Sequence, residues 1–395
     1  MTAPEHDLIV AGGGLIGAAA ALGAARAGRR VMLLDRAQPQ PVLGRFDMDI
    51  RNVSMSPGSR ALLKSLNIWD QIEGAPFTSM RVWEEQGTAT LNFAATDVSR
   101  SELGWIVENG VLVAALWQAL AKTSGVTLRI GESITSVLER ADRIELITDE
   151  GEYQARLLVA ADGSASTVRQ LLNVETARFP TGHQALVTLV DTEVPHQGVA
   201  NQRFLHDGPL ALLPSRLPNR VSVVWSQSEA EAQRRKALNE VDFCAEMTAA
   251  SESVLGRVMA VDDRYSFPLV QHLAESFNPR QRVVLLGDAA RVLHPLAGLG
   301  ANAGFEDVRD FLERLSALPV GGDAGTAGMW NRFARHRRTR AQLLLNLMST
   351  LRRVYAEDDP YLQWLRNLGV NLTMRSGPIR QQVIREALGL GALAA

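Results

Sequence analysis

Cysteine occurs once in the 395 residues, at Cys244, and lysine only at Lys64, Lys122 and Lys236. A single thiol excludes an internal disulfide, a Cys-x-x-Cys redox pair and a thiolate metal site, so zinc and iron–sulfur chemistry drop out and a reducing compartment is expected. The histidines are scattered without metal-ligand spacing, and the sequence has neither a Gly-x-Ser-x-Gly elbow nor a Ser-His-Asp arrangement. No run approaches the roughly 18 to 20 uninterrupted apolar residues of a spanning helix. Only a short polar stretch precedes the first apolar run at Leu8, so the expectation is a cytoplasmic protein, soluble or peripheral to the inner membrane. Excess charge is missing too: 41 basic residues against 43 acidic ones leave a formal net charge of -2. Without a global basic field, nucleic acid is not an expected partner. Nearly all the positive charge is arginine in an alanine-rich chain, so arginine clusters here reflect composition before anion binding.

What is present is enough chain for two intimately connected domains, each with a sizeable core. Residues 8–11, a glycine turn, a run of small residues and then residues 31–35 spell strand, turn, helix, strand, the order of a parallel sheet with right-handed crossover. A helix is expected over 56–66, opened by Ser56 and Pro57 as cap and first-turn residues, and another over 110–123. Residues 81–93 alternate like a strand, and short apolar runs recur at 126–130, 144–147 and 157–160. Further strands are expected at 185–190, 210–213 and 221–225, a helix from 228 to 248, a buried strand at 283–286 and a helix over 300–315. Beyond the glycine-rich stretch 321–328, residues 330–353 and 363–388 read as helices. The fold class is therefore α/β: one domain from 1–75, 100–172 and 275–320, a β-rich second domain from 76–99 and 173–274 inserted into it, and C-terminal helices over 321–395.

Gly12-Gly13-Gly14-Leu15-Ile16-Gly17 fits G-x-G-x-x-G. Glycine is needed there for a tight turn, for close approach of backbone to a pyrophosphate, and for close packing of helix on strand. The phosphates then rest on amides at the helix N-terminus, around Leu15 and Ile16, where the dipole is positive. Asp35, with Arg36 after it, ends the second strand 18 residues beyond Gly17, near the spacing of about 20 at which an acid accepts ribose hydroxyls. By itself this fingerprint does not separate FAD from NAD. Two later turns bear on that: Asp162-Gly163 follows the strand at 157–160, and Gly287-Asp288 follows the one at 283–286.

Together with Pro295-Leu296-Ala297-Gly298-Leu299-Gly300-Ala301-Asn302, these motifs resemble the single-component flavoprotein aromatic hydroxylases, which carry G-x-G-x-x-G, D-G and G-D followed by P-x-x-G-x-G-x-N. Within that family the chain looks most like the ubiquinone-biosynthesis hydroxylases, through Asp49-Ile50-Arg51, Ile106-Val107-Glu108-Asn109, Pro214 and Val223-Val224-Trp225. Residues 62–70, 115–120 and 386–390 look closest to the branch acting on 2-polyprenyl-3-methyl-6-methoxy-1,4-benzoquinol. The resemblance implies a Rossmann-like FAD domain of the p-hydroxybenzoate hydroxylase kind with an inserted β-rich substrate domain. It places Arg51 near the pyrophosphate and flavin, Asn109 near the ribityl chain, and Asp162 where NAD(P)H and FAD are met. It places Asp288, beside Gly287, on the ribityl hydroxyls, and the loop from Pro295 through Gly298, Leu299, Gly300 and Ala301 to Asn302 around the flavin ring. Arg51 and Asn109 also admit plainer roles, a surface ion pair and a helix cap. His294 is the candidate for substrate contact, against a purely structural histidine.

The resemblance further implies hydroxylation of a polyprenylated benzoquinol with NAD(P)H as transient reductant and O2 as co-substrate. There is no second G-x-G-x-x-G for a separate nicotinamide domain. In such enzymes the cofactor carries the oxygen chemistry, while protein excludes water and positions the ring. Two other readings stand beside it: hydroxylation of a small soluble phenol, and a non-catalytic FAD-binding component of a quinone-synthesis complex. The chain departs from the family at Arg291, where histidine is usual, and at Leu299 and Ala301, which bears on ring specificity. Residues 335–353 mix arginines with apolar residues, suiting either a packed helix or docking on anionic lipid. A homodimer or a quinone-biosynthesis complex is the expected assembly.

Overall fold

The apolar run of β1 (His6–Ala11) leads through the glycine turn into α1 (Leu15–Arg26) and returns in β2 (Val31–Asp35). Strand runs with no alternation suit a parallel sheet covered on both faces, and β1 is buried along its whole length. The chain continues through β3 (Asn52–Met55), α2 (Pro57–Ser65), β4 (Ala75–Phe77), β5 (Ser79–Glu84), β6 (Thr90–Ala94), β7 (Gly104–Glu108) and α3 (Asn109–Ala121). Next come β8 (Val126–Ile130), β9 (Ile134–Glu139), β10 (Ile144–Thr148), β11 (Glu152–Ala160), the short α4 (Thr167–Leu171) and the long β12 (Thr176–Thr192). After β13 (Val199–Leu205), β14 (Gly208–Pro214) and β15 (Arg220–Ser228) stand α5 (Glu229–Ala237) and α6 (Glu240–Ala250). The last elements are β16 (Val258–Val261), β17 (Tyr265–Ala274), β18 (Val283–Leu285), β19 (Arg291–Val292), α7 (Leu299–Ser316) and α8 (Asn331–Ala356). This computed structural model describes residues 4–85, 90–293 and 298–356. The helix expected over 363–388 lies outside them.

Three sheets result. The seven-stranded one runs β8-β2-β1-β11-β10-β9, with β18 also on β11. β11 serves three neighbours because it is long: residues up to Ala155 pair with β10, and Leu158 to Ala160 pair in parallel with β18. Its register against β1 sets Ala11 opposite Ala160, so the first glycine turn and the Asp162-Gly163 turn leave the sheet side by side. The nine-stranded sheet runs β19-β17-β12-β15-β14-β13-β5-β6, with β16 on β12. β3, β7 and β4 form a small antiparallel sheet.

Two expectations change. Residues 81–93 form a hairpin, β5 paired antiparallel with β6, and not one strand. The helix expected over 228–248 is broken into α5 and α6, because Leu238 is extended and Asn239 opens a new helix by accepting from the Asp242 amide. β9 escaped the sequence reading because none of its residues is fully buried, which blurs the alternation.

α1 is almost wholly small residues and almost wholly buried. That lets α7 approach closely, since a Cβ at Gly23 would strike the Leu312 side chain. The far end of α7 is held by aromatic packing: Phe311 stacks on Trp330 at 5.0 Å, and Trp330 meets Phe333 edge-on at 5.9 Å. Because Phe311 is fully buried, Phe311→Ala is expected to cost about 3–5 kcal/mol through lost burial and the cavity it leaves. Thermal unfolding followed by circular dichroism checks this, and an unchanged midpoint would contradict the packing.

Candidate functional site

Glycine does at Gly12 and Gly17 what the fingerprint asks. Gly12 has a φ of +99°, and a Cβ on it would overlap the Ala161 carbonyl; one on Gly17 would overlap the Gly12 carbonyl. Gly14 differs: nothing lies within 4 Å of where its Cβ would stand. That space belongs to two cavities that share Gly14, Ala161 and Gly163.

The smaller cavity, about 270 Å³, is lined by Gly12, Asp35, Arg36, Glu132, Asp162 and Thr167 among others. Asp35 accepts from the Gly13 amide at 2.5 Å and the Ala37 amide at 3.2 Å, so the acid is locked to the turn it serves. The opposite side of that turn is held by Trp117 of α3, whose Nε1 donates to the Gly13 carbonyl at 2.7 Å. Asp162 accepts from the Val168 amide through Oδ2 at 3.1 Å, while its buried Oδ1 has no partner.

The larger cavity, about 860 Å³, has walls of opposite character. One side is backbone and polar: Gly14, Leu15 and Ile16 at the start of α1, Asn52 and Ser54 of β3, Asn109, Gly163, Asp288, and Gly298, Gly300 and Ala301 at the start of α7. The other side is the nine-stranded sheet, contributing Met80, Ala200, Leu213, Val224, Phe267 and Leu269, with Arg178, Gln202, Ser226, Gln271 and His272 as its polar members. As with Gly14, open space stands where a Cβ of Gly163 or Gly300 would go. The first amides of α1 and α7 have no acceptor within their own helices. A long, flat, phosphate-bearing group therefore fits: its anionic part meets free amides, and three glycines leave it room.

The remaining sequence candidates are distributed as follows. Gly287 (φ +59°) packs on Ile16, and Gly298 (φ +62°) is the left-handed N-cap of α7. Asn302 uses both ends of its amide internally, accepting from Ser56 N and Ser59 Oγ and donating to the Ser54 and Gly298 carbonyls. It braces the cavity wall and presents nothing to an occupant. Leu299 packs into the core beneath and does not line either cavity. Arg51 turns away to the Gln40 carbonyl and Asp49, and is likewise outside both linings. Buried Asp49 instead accepts from the Gly110 amide at 2.7 Å and so seats the start of α3. Pro295 and His294 lie outside the described residues. Arg291, where the family resemblance calls for histidine, is buried and paired with Asp307.

Two residues that sequence reading did not single out join the turns. Arg169 donates to Ser164 O at 2.6 Å and Ala289 O at 2.8 Å, stitching the Asp162-Gly163 turn to the Gly287-Asp288 turn. His272 of β17 is buried, with Nε2 at 2.9 Å from the Asp288 carbonyl. The same Nε2 lies 3.4 Å from Arg169 Nη1, so it stands between a carbonyl that only accepts and a guanidinium that only donates. Burial, and then the nearby Arg169 cation, pull the His272 pKa down to about 4. Packing around the Asp288 carboxyl pushes its pKa up, with Arg291 opposing and Asp307 reinforcing, while its surface is exposed to the cavity that it lines. No periodicity flags His272, because its meaning comes from a turn 16 residues away.

Fold and site together define an FAD-dependent monooxygenase, and the chain belongs to the family described as FAD binding domain, whose match spans residues 5–347. It is 32% identical to 3-demethoxyubiquinol 3-hydroxylase of Escherichia coli (strain K12), over 99% of this chain and 100% of that protein. Ubiquinone hydroxylase UbiL of Rhodospirillum rubrum is 31% identical, over 97% of this chain and 89% of its own length. The crystal structure of p-nitrophenol 4-monooxygenase PnpA from Pseudomonas putida DLL-E4 has the same fold, with a TM-score of 0.78 at 18% identity, covering 99% of this chain and 100% of that one. The cofactor is FAD, and NAD(P)H and O2 are the reductant and oxidant general to the family.

Two outcomes are expected. Gly14→Val places a side chain in open space, so the apoprotein keeps its melting temperature while FAD binds at least about tenfold more weakly, ~1.4 kcal/mol; titration of apoprotein with FAD by flavin fluorescence reads this. For His272 the folded pKa of about 4 lies below the ordinary histidine value of 6.5, so between those values the unfolded chain binds more protons and stability falls as pH drops. The loss reaches roughly 3 kcal/mol near pH 4. His272→Gln should flatten that part of the stability–pH curve, and an unaltered curve would contradict a neutral buried imidazole.

Proposed function

We propose that this chain hydroxylates the ring of a polyprenylated benzoquinol in ubiquinone biosynthesis, using NAD(P)H and O2. The observation that carries the reading is the larger cavity. Its sheet-side wall carries a band of apolar residues, Met80, Leu213, Val224 and Leu269, and runs out to Phe267 and Val270, which line it yet are 46% and 41% exposed. An exposed apolar mouth on an apolar cavity suits a ring that bears a long hydrocarbon tail.

In this reading the seven-stranded sheet and its turns form the cofactor half, and the nine-stranded sheet forms the substrate half. Asp35 and Arg36 take the adenosine end of FAD. The Gly14, Leu15 and Ile16 backbone takes the pyrophosphate, Asp288 and Asn109 the ribityl hydroxyls, and Gly298, Gly300 and Ala301 the ring. When bound, FAD supplies the redox and oxygen chemistry. The protein's own work is to hold that group and to orient the quinol against it. Met80, Leu213, Val224 and Leu269 keep water from the reacting ring.

The relatives support the quinol as substrate class, since one is a 3-demethoxyubiquinol 3-hydroxylase and another a ubiquinone hydroxylase. Among the described residues no helix is long and apolar enough to cross a membrane. A peripheral, cytoplasmic-face contact is consistent with the outward side of α8, where Arg332, Arg335, Arg338 and Leu343 are exposed.

With labelled O2 and NAD(P)H, the holoenzyme should insert one labelled oxygen into a prenylated demethoxyquinol, faster than into a phenolic acid. Faster turnover of the soluble phenol would replace this substrate class. FAD-loaded protein that labels neither substrate would leave a non-catalytic binding role.

A further inference from the structure

Behind the Gly287-Asp288 turn lies a buried cluster of charge that neither cavity uses. Asp307 of α7 is fully buried. Its Oδ2 accepts from the Gly287 amide at 3.0 Å and pairs with Arg291, and its Oδ1 accepts from Arg337 Nε at 2.7 Å. Arg291 reaches back to the Gly287 carbonyl at 3.5 Å, so the pair grips both sides of the same residue. Arg337 comes from α8, is 1% exposed, and donates also to the Ala303 carbonyl at 3.1 Å and to Glu306 at 3.0 Å.

Two of these contacts fall on the Gly287 backbone itself, its amide on Asp307 and its carbonyl, shared with the Ala290 amide, on Arg291. Gly287 has no side chain, and its φ of +59° is one that other residues rarely adopt. The turn is therefore held from outside, by a carboxylate one helix away. Isolated burial of that carboxylate would be costly, and two arginines offset it. Arg337 in turn is kept charged against its own burial by Asp307, Glu306 and Asp310. None of the described residues of α8 lines either cavity. Its guanidinium nevertheless bonds both the carboxylate that orients Asp288 and the first turns of the helix that carries Gly300 and Ala301.

We propose that Asp307, clamped between Arg291 and Arg337, is a positioning residue for the Gly287-Asp288 turn, and that α8 thereby sets the affinity for FAD without touching it. The inference rests on FAD as cofactor and is independent of which ring is hydroxylated.

The test is titration of apoprotein with FAD, read by flavin fluorescence, beside the apoprotein melting temperature. Arg337→Gln should weaken FAD by about tenfold, a coupling of ordinary size between distant sites. Arg337→Lys, which restores the charge at Asp307, should recover most of the affinity, and Thr339→Ala on the exposed side of the same helix should leave it unchanged. If Arg337→Gln lowers the melting temperature but leaves the FAD dissociation constant within about twofold, the cluster is structural only and the proposal is overturned. Should Arg337→Gln not fold, Asp307→Glu carries the same test. It keeps the charge balance while pushing the carboxylate one methylene toward the Gly287 amide, and unaltered FAD affinity there equally overturns the proposal.

Discussion

The site depends on one close crossing of backbone. Gly12, Gly17 and Ala161 come together so tightly that a methyl on either glycine would overlap a carbonyl. That contact seats α1 against the ends of β1 and β11, which run parallel in register. Its consequence is electrostatic. The free amides at the start of α1 emerge beside the Asp162-Gly163 turn, in the one place where two cavities join. Loosening the crossing would separate the amides from the acid on β2 that is bonded to the same turn.

Around this crossing the molecule divides its labour by chemistry. Turns and helix starts from the seven-stranded sheet present amides, carboxylates and glycine-made space, which suits a charged and hydroxylated cofactor. The nine-stranded sheet presents a wall in which apolar side chains such as Met80, Leu213, Val224 and Leu269 predominate, which suits an aromatic ring. Directional bonds tie the walls together. Arg169 links the Asp162-Gly163 and Gly287-Asp288 turns, His272 of the nine-stranded sheet reaches the Asp288 carbonyl, and Asn302 ties α7 to the loop before α2. Bonds of this kind, made with buried groups, fix geometry more than they add net stability.

Much of this was legible in the linear chain where a signal is local. The β1-turn-α1-β2 unit, the acid at Asp35 and the turns at Asp162 and Gly287 could be read because each needs particular residues at short spacing. Long buried strands such as β11 and the helix α7 were also readable from unbroken apolar runs or clear periodicity. Failures came where local and tertiary cues conflict. One helix was read where Asn239 caps a second one, and one strand was read where a hairpin folds back. For Arg51 the sequence left open a surface ion pair, and its side chain meets Asp49 and the Gln40 carbonyl; the Asn302 amide is bonded within the fold.

The sequence alone determined the glycine turn between β1 and α1, because φ, close packing and helix dipole act over a handful of residues. It determined as well that no disulfide forms within the chain, because one cysteine cannot make one. Only the tertiary structure decided which residues face the occupant and which hold the walls. Asp288 opens onto the cavity while Asp307 lies behind it, though both are acids near the same glycine. His272, Arg169 and Arg337 act on turns far along the chain. Such roles are set by which strands and helices become neighbours, and pairing across long sequence separations leaves no local pattern to read.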